Sequence, residues 1–74
     1  MSTKLLRDTG ETLYGPRWQS DLARDLEVSD RTMRRWIAGV DDPPIGIWTD
    51  LHRIVVERQA SLDEIEHRLK MQSS

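Results

Sequence analysis

Residues 19–39, QSDLARDLEVSDRTMRRWIAG, carry the strongest structural pattern in the chain. Near its start, Leu22, Ala23 and Leu26 stand at positions i, i+1 and i+4. This spacing predicts a short helix over residues 17–26 with one apolar face. The small side chain of Ala23 would let a second helix cross this one closely.

A turn and a second helix follow within the same stretch. Residues 27–29 predict the turn, in which Val28 is expected to pack against the core. Ser29 is a favourable N-cap for a helix over residues 30–38, because its hydroxyl can accept from a backbone N–H of the first turn. Gly39 suits the end of this helix. The stretch therefore predicts two short helices joined by a tight turn.

The second of these helices has two faces of opposite character. At about 100° per residue its apolar side chains share one face: Met33, Trp36 and Ile37. The opposite face carries Arg31, Arg34 and Arg35, with Ala38. We expect the apolar face to pack in the core and the arginine face to have no role inside the domain.

Before this stretch, residues 4–14 form a weaker helix candidate with Leu6 and Leu13 on one stripe. Gly10 in its middle lowers the helical propensity by about 1 kcal/mol relative to alanine. The pair Gly15-Pro16 is expected to end this helix sharply, since proline cannot continue a helix.

After a proline-containing loop, residues 45–71 are strongly helical in composition. An apolar seam recurs with alternating spacings of four and three, the spacing of a helix–helix interface. It could belong to the core of its own chain, to a dimer interface or to both; the predicted dimer interface consists of Leu51, Val55, Leu62, Ile65 and Leu69. Residues 61–64, SLDE, also match a capping box that would restart a helix. The sequence leaves open whether one continuous helix or two segments bent near residues 60–61 are formed.

The overall composition limits the kinds of function. The chain has 74 residues, 36% of them hydrophobic, no cysteine and a net charge of −2, so we expect one domain over 1–74, all-α, with four to five helices. No apolar run is long enough to cross a membrane, and a cytoplasmic protein is expected. No nucleophile–base pattern or glycine-rich phosphate loop is present. His52 and His67 stand alone, so we expect no enzyme activity, metal, cofactor or small-molecule ligand.

Residues 19–39 resemble the helix-turn-helix of the Cro/lambda-repressor (XRE-type) transcription regulators, within a helix-turn-helix over 17–39. Gln19 opens the first helix, Val28-Ser29 form the turn, and Met33 and Trp36 pack the second helix, as in that family. Glu27 departs from the pattern, because the family usually has glycine there to allow a positive φ. The string SDRTMRRW also resembles, more loosely, the anti-CRISPR-associated autorepressors of phages and mobile elements.

The resemblance implies a homodimer that binds an inverted-repeat operator in double-stranded DNA, with the helix over 30–38 in the major groove, and acts as a repressor or autorepressor. By motif position, the DNA-binding residues implied are Gln19, Ser29, Asp30, Arg31, Thr32, Arg34 and Arg35. Arginine pairs bidentately with guanine and also binds phosphate. Asp30 has two open roles: it could accept from cytosine, or it could stabilise the helix start and orient Arg34.

Two other functions remain open at this point. The acidic C-terminal helix could bind a protein partner, as an antitoxin or an inhibitor does. Alternatively, the helix-turn-helix could be the DNA-binding part of a recombinase or transposase. The charge distribution favours DNA binding, since residues 31–35 hold three arginines and no acid, whereas residues 41–66 hold seven acids and two arginines.

Overall fold

The computed structural model describes residues 3–73, and within this range the chain is all-α. Its four helices are α1 (Thr3–Tyr14), α2 (Trp18–Asp25), α3 (Asp30–Ile37) and α4 (Ile45–Ser73). The all-α fold expected from the sequence is thus confirmed. None of these helices is long and apolar enough to cross a membrane.

Three residues with positive φ mark the ends of the short helices, and all three lie at breaks that the sequence predicted. They are Gly15 (φ 85°), Glu27 (φ 60°) and Gly39 (φ 77°). Glu27 stands where the repressor family usually has glycine, and it adopts the left-handed conformation at some cost in strain. The backbone N–H of Val28 donates to the carbonyl of Ala23 at 2.9 Å, which closes the turn.

The core lies where the first three helices meet the start of α4. Leu6 from α1, Leu22 from α2 and Met33 from α3 are at most 1% exposed. Ile47 and Leu51 from the first turns of α4 complete this cluster. The core is therefore contributed by all four helices, but by only one end of α4.

Gly10 lies inside α1 and has a packing role that the sequence did not reveal. A Cβ atom added to Gly10 would lie 2.1 Å from Cε3 of Trp18 and 2.5 Å from its Cδ2. The indole of Trp18, only 3% exposed, thus packs directly on the backbone of α1. The missing side chain of Gly10, which lowers the helical propensity of α1, is what allows α1 and α2 to pack closely.

The C-terminal segment is one continuous helix, which decides between the alternatives left open above. α4 runs through residues 60–61 without a break, and at 1.5 Å per residue its 29 residues span about 43 Å. Every residue from 59 to 73 is exposed. The described chain measures 52 × 22 × 20 Å, because the second half of α4 projects from the helical core as an arm.

This arrangement corrects one residue of the predicted dimer interface. Leu51 is 4% exposed and belongs to the core of its own chain, so its assignment to an intermolecular seam was wrong. It faces α1 because the first turns of α4 pack there, which the heptad spacing alone could not indicate. Val55 is half-buried, whereas Leu62, Ile65 and Leu69 remain 60%, 47% and 63% exposed.

Candidate nucleic-acid interface

The start of α3 is fixed by Ser29, as predicted. Its Oγ accepts a hydrogen bond from the backbone N–H of Thr32 at 3.0 Å, which satisfies one of the free donors of the first turn. The Ser29 hydroxyl in turn donates to Oγ1 of Thr32 at 2.9 Å. Thr32, which stands where a capping box would have Glu or Gln, is thereby held against the cap.

The two faces of α3 also lie as the sequence predicted. Met33 is fully buried, Trp36 is 5% exposed and Ile37 packs on the core. The three arginines are exposed: Arg31, Arg34 and Arg35. Burial of the apolar face fixes the rotation of α3 about its axis, so the basic face must point outward.

Arg35 is held by a partner that sequence reasoning missed. Its Nε donates to Oδ2 of Asp41 at 2.6 Å. The hydrogen bond from Arg35 lowers the pKa of the Asp41 carboxyl below its usual value. The loop after α3 turns back here, since the backbone N–H of Val40 donates to the carbonyl of Arg35 at 3.0 Å.

This pair could not be predicted from the sequence, because a separation of six residues is not a helical spacing. The contact uses the Nε edge of the guanidinium. This contact does not use the two terminal amino groups of Arg35, which can donate a pair of hydrogen bonds to guanine. Asp41 therefore restricts the movement of Arg35 without occupying the groups that would contact a base.

The remaining predicted residues lie around this face. Ser29 and Asp30 are exposed at the N-terminal end of α3, and Gln19 is exposed at the second position of α2. The proposed pairing of Asp30 with Arg34 is not among the ion pairs formed within residues 3–73. Asp30 lies in the first turn of α3, where a negative charge is favourable. The carboxylate that holds an arginine of this face is that of Asp41, which contacts Arg35.

Comparison of the chain with protein-family models, with curated proteins and with solved structures gave no match. The resemblance to the XRE-type regulators consequently stays a prediction.

Proposed function

We propose that this protein is a sequence-specific DNA-binding regulator, a homodimeric repressor or autorepressor that recognises an inverted repeat. One observation carries the proposal: α3, the second helix of a tight helical pair, buries Met33 and Trp36 and exposes three arginines. A recognition helix needs this arrangement, because one face must hold the helix rigid while the other enters the major groove.

Within this proposal the exposed side chains divide by position. Asp30, Arg31 and Arg35, with Ser29 at the helix start, read base edges, and the fork of Arg35 pairs with the O6 and N7 of a guanine. Gln19, Thr32 and Arg34 contact the DNA backbone, which sets the position of α3 on the duplex. Because Asp41 already restrains Arg35, less side-chain freedom is lost when that arginine binds.

The exposed arm of α4 supports the homodimer. Leu62, Ile65 and Leu69 recur at helical spacing and stay about half exposed or more, as expected for side chains covered by a second chain. A dimer would place two copies of α3 about 34–36 Å apart, one turn of DNA. Occupation of a promoter by such a dimer would block polymerase sterically.

The function is tested by selecting bound duplexes from a random DNA pool. We expect an inverted repeat to be enriched. The affinity of the protein for this repeat should fall steeply between roughly 50 and 200 mM salt, because phosphate contacts weaken over this range. The absence of any enriched sequence together with negligible binding at low salt would contradict the proposal.

The role of Arg35 is tested by Arg35→Ala on the selected site. We expect a loss of roughly 1–3 kcal/mol in binding free energy and a relaxed preference at one base pair. Arg24→Ala is the matched control, because Arg24 is an exposed arginine of α2 that pairs with Asp21 and lies outside α3. An equal loss for Arg35→Ala on random DNA would show that Arg35 contacts only the backbone.

A second candidate function, a protein-interaction module, is favoured by one observation. The arm of α4 combines exposed apolar residues with acids at positions 63, 64 and 66, which suits a partner with a basic or apolar groove. Salt distinguishes the two functions, since such a module would bind DNA negligibly at every salt concentration.

A further inference from the structure

The exposed seam of the α4 arm continues into a groove on the helical core. An open groove of about 560 Å³ lies between α1 and α4. Its apolar walls are Leu13, Val55 and Leu62, and Asp8 stands on its rim. Leu62 thus belongs both to this groove and to the seam formed with Ile65 and Leu69, so the two form one continuous apolar surface.

We infer that this surface is covered by the α4 arm of a second copy, running antiparallel, with the tip of each arm in the groove of the other. In this arrangement Leu62 faces the partner's Ile65, and the partner's Leu69 enters the groove beside Arg58. The inference rests on the homodimer of the proposed function and specifies its geometry. A second copy is the occupant that this surface fits, because α4 carries the seam and also forms one wall of the groove, so that one pair of copies covers the seam and the groove of both chains.

Arg58 favours the antiparallel direction. This residue stands at a seam position, yet its Nη1 donates to the carbonyl of Leu13 at 2.7 Å, and its guanidinium lies 5.5 Å from the ring centre of Tyr14. In a parallel pair Arg58 would face the partner's Arg58 and repel it. In the antiparallel pair it faces a leucine, which can pack on its aliphatic stem, and the two helix dipoles oppose each other favourably.

The charged residues beside the seam favour one register of the two antiparallel arms. A shift of one heptad towards the tips would place Glu66 beside the partner's Glu66, and Arg68 beside the partner's Arg68, in both cases with like charges together. A shift the other way would bring the tip over Leu51, which its own chain already covers. Only the intermediate register pairs Glu66 and Arg68 with the uncharged Gln59 and Ser61 of the partner.

The tip and the groove also have complementary charges. The last turns of α4 carry Arg68 and Lys70, and the rim of the groove carries the Asp8 carboxylate, whose side chain is 53% exposed although Lys4 contacts it at 2.8 Å. Arg58 lines the same groove, but its guanidinium is held by the carbonyl of Leu13 and the ring of Tyr14, so a basic helix tip that enters on the side of Asp8 meets a favourable charge.

Disulfide trapping tests the direction and the register, since the chain contains no cysteine. Val55→Cys and Gln72→Cys are prepared separately and oxidised without DNA, alone and as a refolded mixture. In the antiparallel register, residue 72 faces the partner's residue 55, whereas the two copies of residue 72 lie about 26 Å apart along the helices. We expect disulfide-linked dimer in the mixture, and at least tenfold less with either variant alone.

Efficient self-linking of Gln72→Cys would overturn the inference, because it requires a parallel pair. A mass measured by light scattering that stays monomeric for the unmodified chain at about 100 µM, well above a micromolar dissociation constant, would overturn it as well. Neither outcome depends on DNA. If the protein selects an inverted repeat but Gln72→Cys links to itself, the proposed regulatory function stands and the antiparallel packing of the two arms is wrong.

Discussion

The two halves of α4 carry similar apolar patterns and differ in what covers them. In the first half, Ile47 and Leu51 are 8% and 4% exposed, because these turns pack against α1 and belong to the core cluster. In the second half, Leu62 and Leu69 are more than half exposed, although they continue the same spacing. An apolar stripe on a helix therefore does not indicate by itself which of its side chains the same chain will cover.

This difference divides the molecule into a helical core that is stable through its own packing and an arm whose residues 59–73 are all exposed, and we propose that the stability of the arm depends on a partner. Burial of a leucine contributes roughly 1.5–3 kcal/mol, and an isolated helix of the arm's length is marginal in water. Substitutions in the core should therefore change the free energy of unfolding, whereas substitutions on the arm should change association.

The largest effect is expected for Trp36→Ala. Trp36 is 5% exposed and belongs to the core cluster, and truncation of a buried aromatic side chain lowers the free energy of unfolding by about 3–5 kcal/mol. In so small a chain this can unfold the domain, which circular dichroism and thermal melting would show. Trp48→Ala is the control on α4. Because the Trp48 side chain is only half-buried, its truncation should lower the free energy of unfolding by less. A stable Trp36→Ala variant would mean that the packing face of α3 is wrongly assigned.

The next effect concerns the arm. Leu62→Asp places a carboxylate in the seam of both copies, and it should weaken dimerisation by roughly 3 kcal/mol or more, at least about 100-fold in dissociation constant. The far-ultraviolet circular dichroism of the core should persist. Val56→Asp is the matched control, since Val56 is 47% exposed but lies off the seam. Equal dimer affinities of the two variants in sedimentation equilibrium would exclude the seam as the interface.

A smaller effect is expected at Gly10. In Gly10→Ala the new methyl group would meet the ring of Trp18, and the overpacking should lower the free energy of unfolding by about 1–3 kcal/mol despite the better helical propensity of alanine. Gly46→Ala is the control, because no atom lies within 4 Å of its added Cβ; it should be neutral or stabilising. Denaturant titration of both variants measures the difference, and a stabilised Gly10→Ala would show that α1 and α2 can separate at little cost.

The smallest effect is expected at Tyr14, where the core meets the base of the arm. Burial, with the hydrogen bond from its hydroxyl to the Asp25 carboxylate, raises the pKa of Tyr14 from 10.0 to about 12. A raised pKa in the folded state stabilises below pH 10, and this contribution is lost as the pH rises through about 12. Tyr14→Phe should cost about 1 kcal/mol at neutral pH and show a weaker loss of stability between pH 10 and 12, measured by denaturant titration. An identical alkaline profile would show that the pKa of Tyr14 is not raised in the folded state.

The local signals in the sequence predicted most of the fold. Ser29 begins α3 as its N-cap, Gly15 ends α1, and the alternation of apolar and basic residues within 30–38 divides α3 into its two faces. These features depend on neighbouring residues and on the helical period, which a sequence contains in full. The exposure of the three arginines of α3 was predicted for the same reason, since the side chains that do not pack must be exposed; their assignment to DNA contacts rests on the family resemblance and stays a prediction.

Tertiary structure decided the features that depend on residues far apart in the chain or on loop conformation. The indole of Trp18 fits over Gly10 only at one crossing of α1 and α2, and the contact between Arg35 and Asp41 needs the loop after α3 to turn back. Where α4 leaves the core determines that Leu51 is buried and Leu62 is exposed. A periodic pattern fixes the direction of each side chain about its helix, but the packing of helices fixes what that side chain meets.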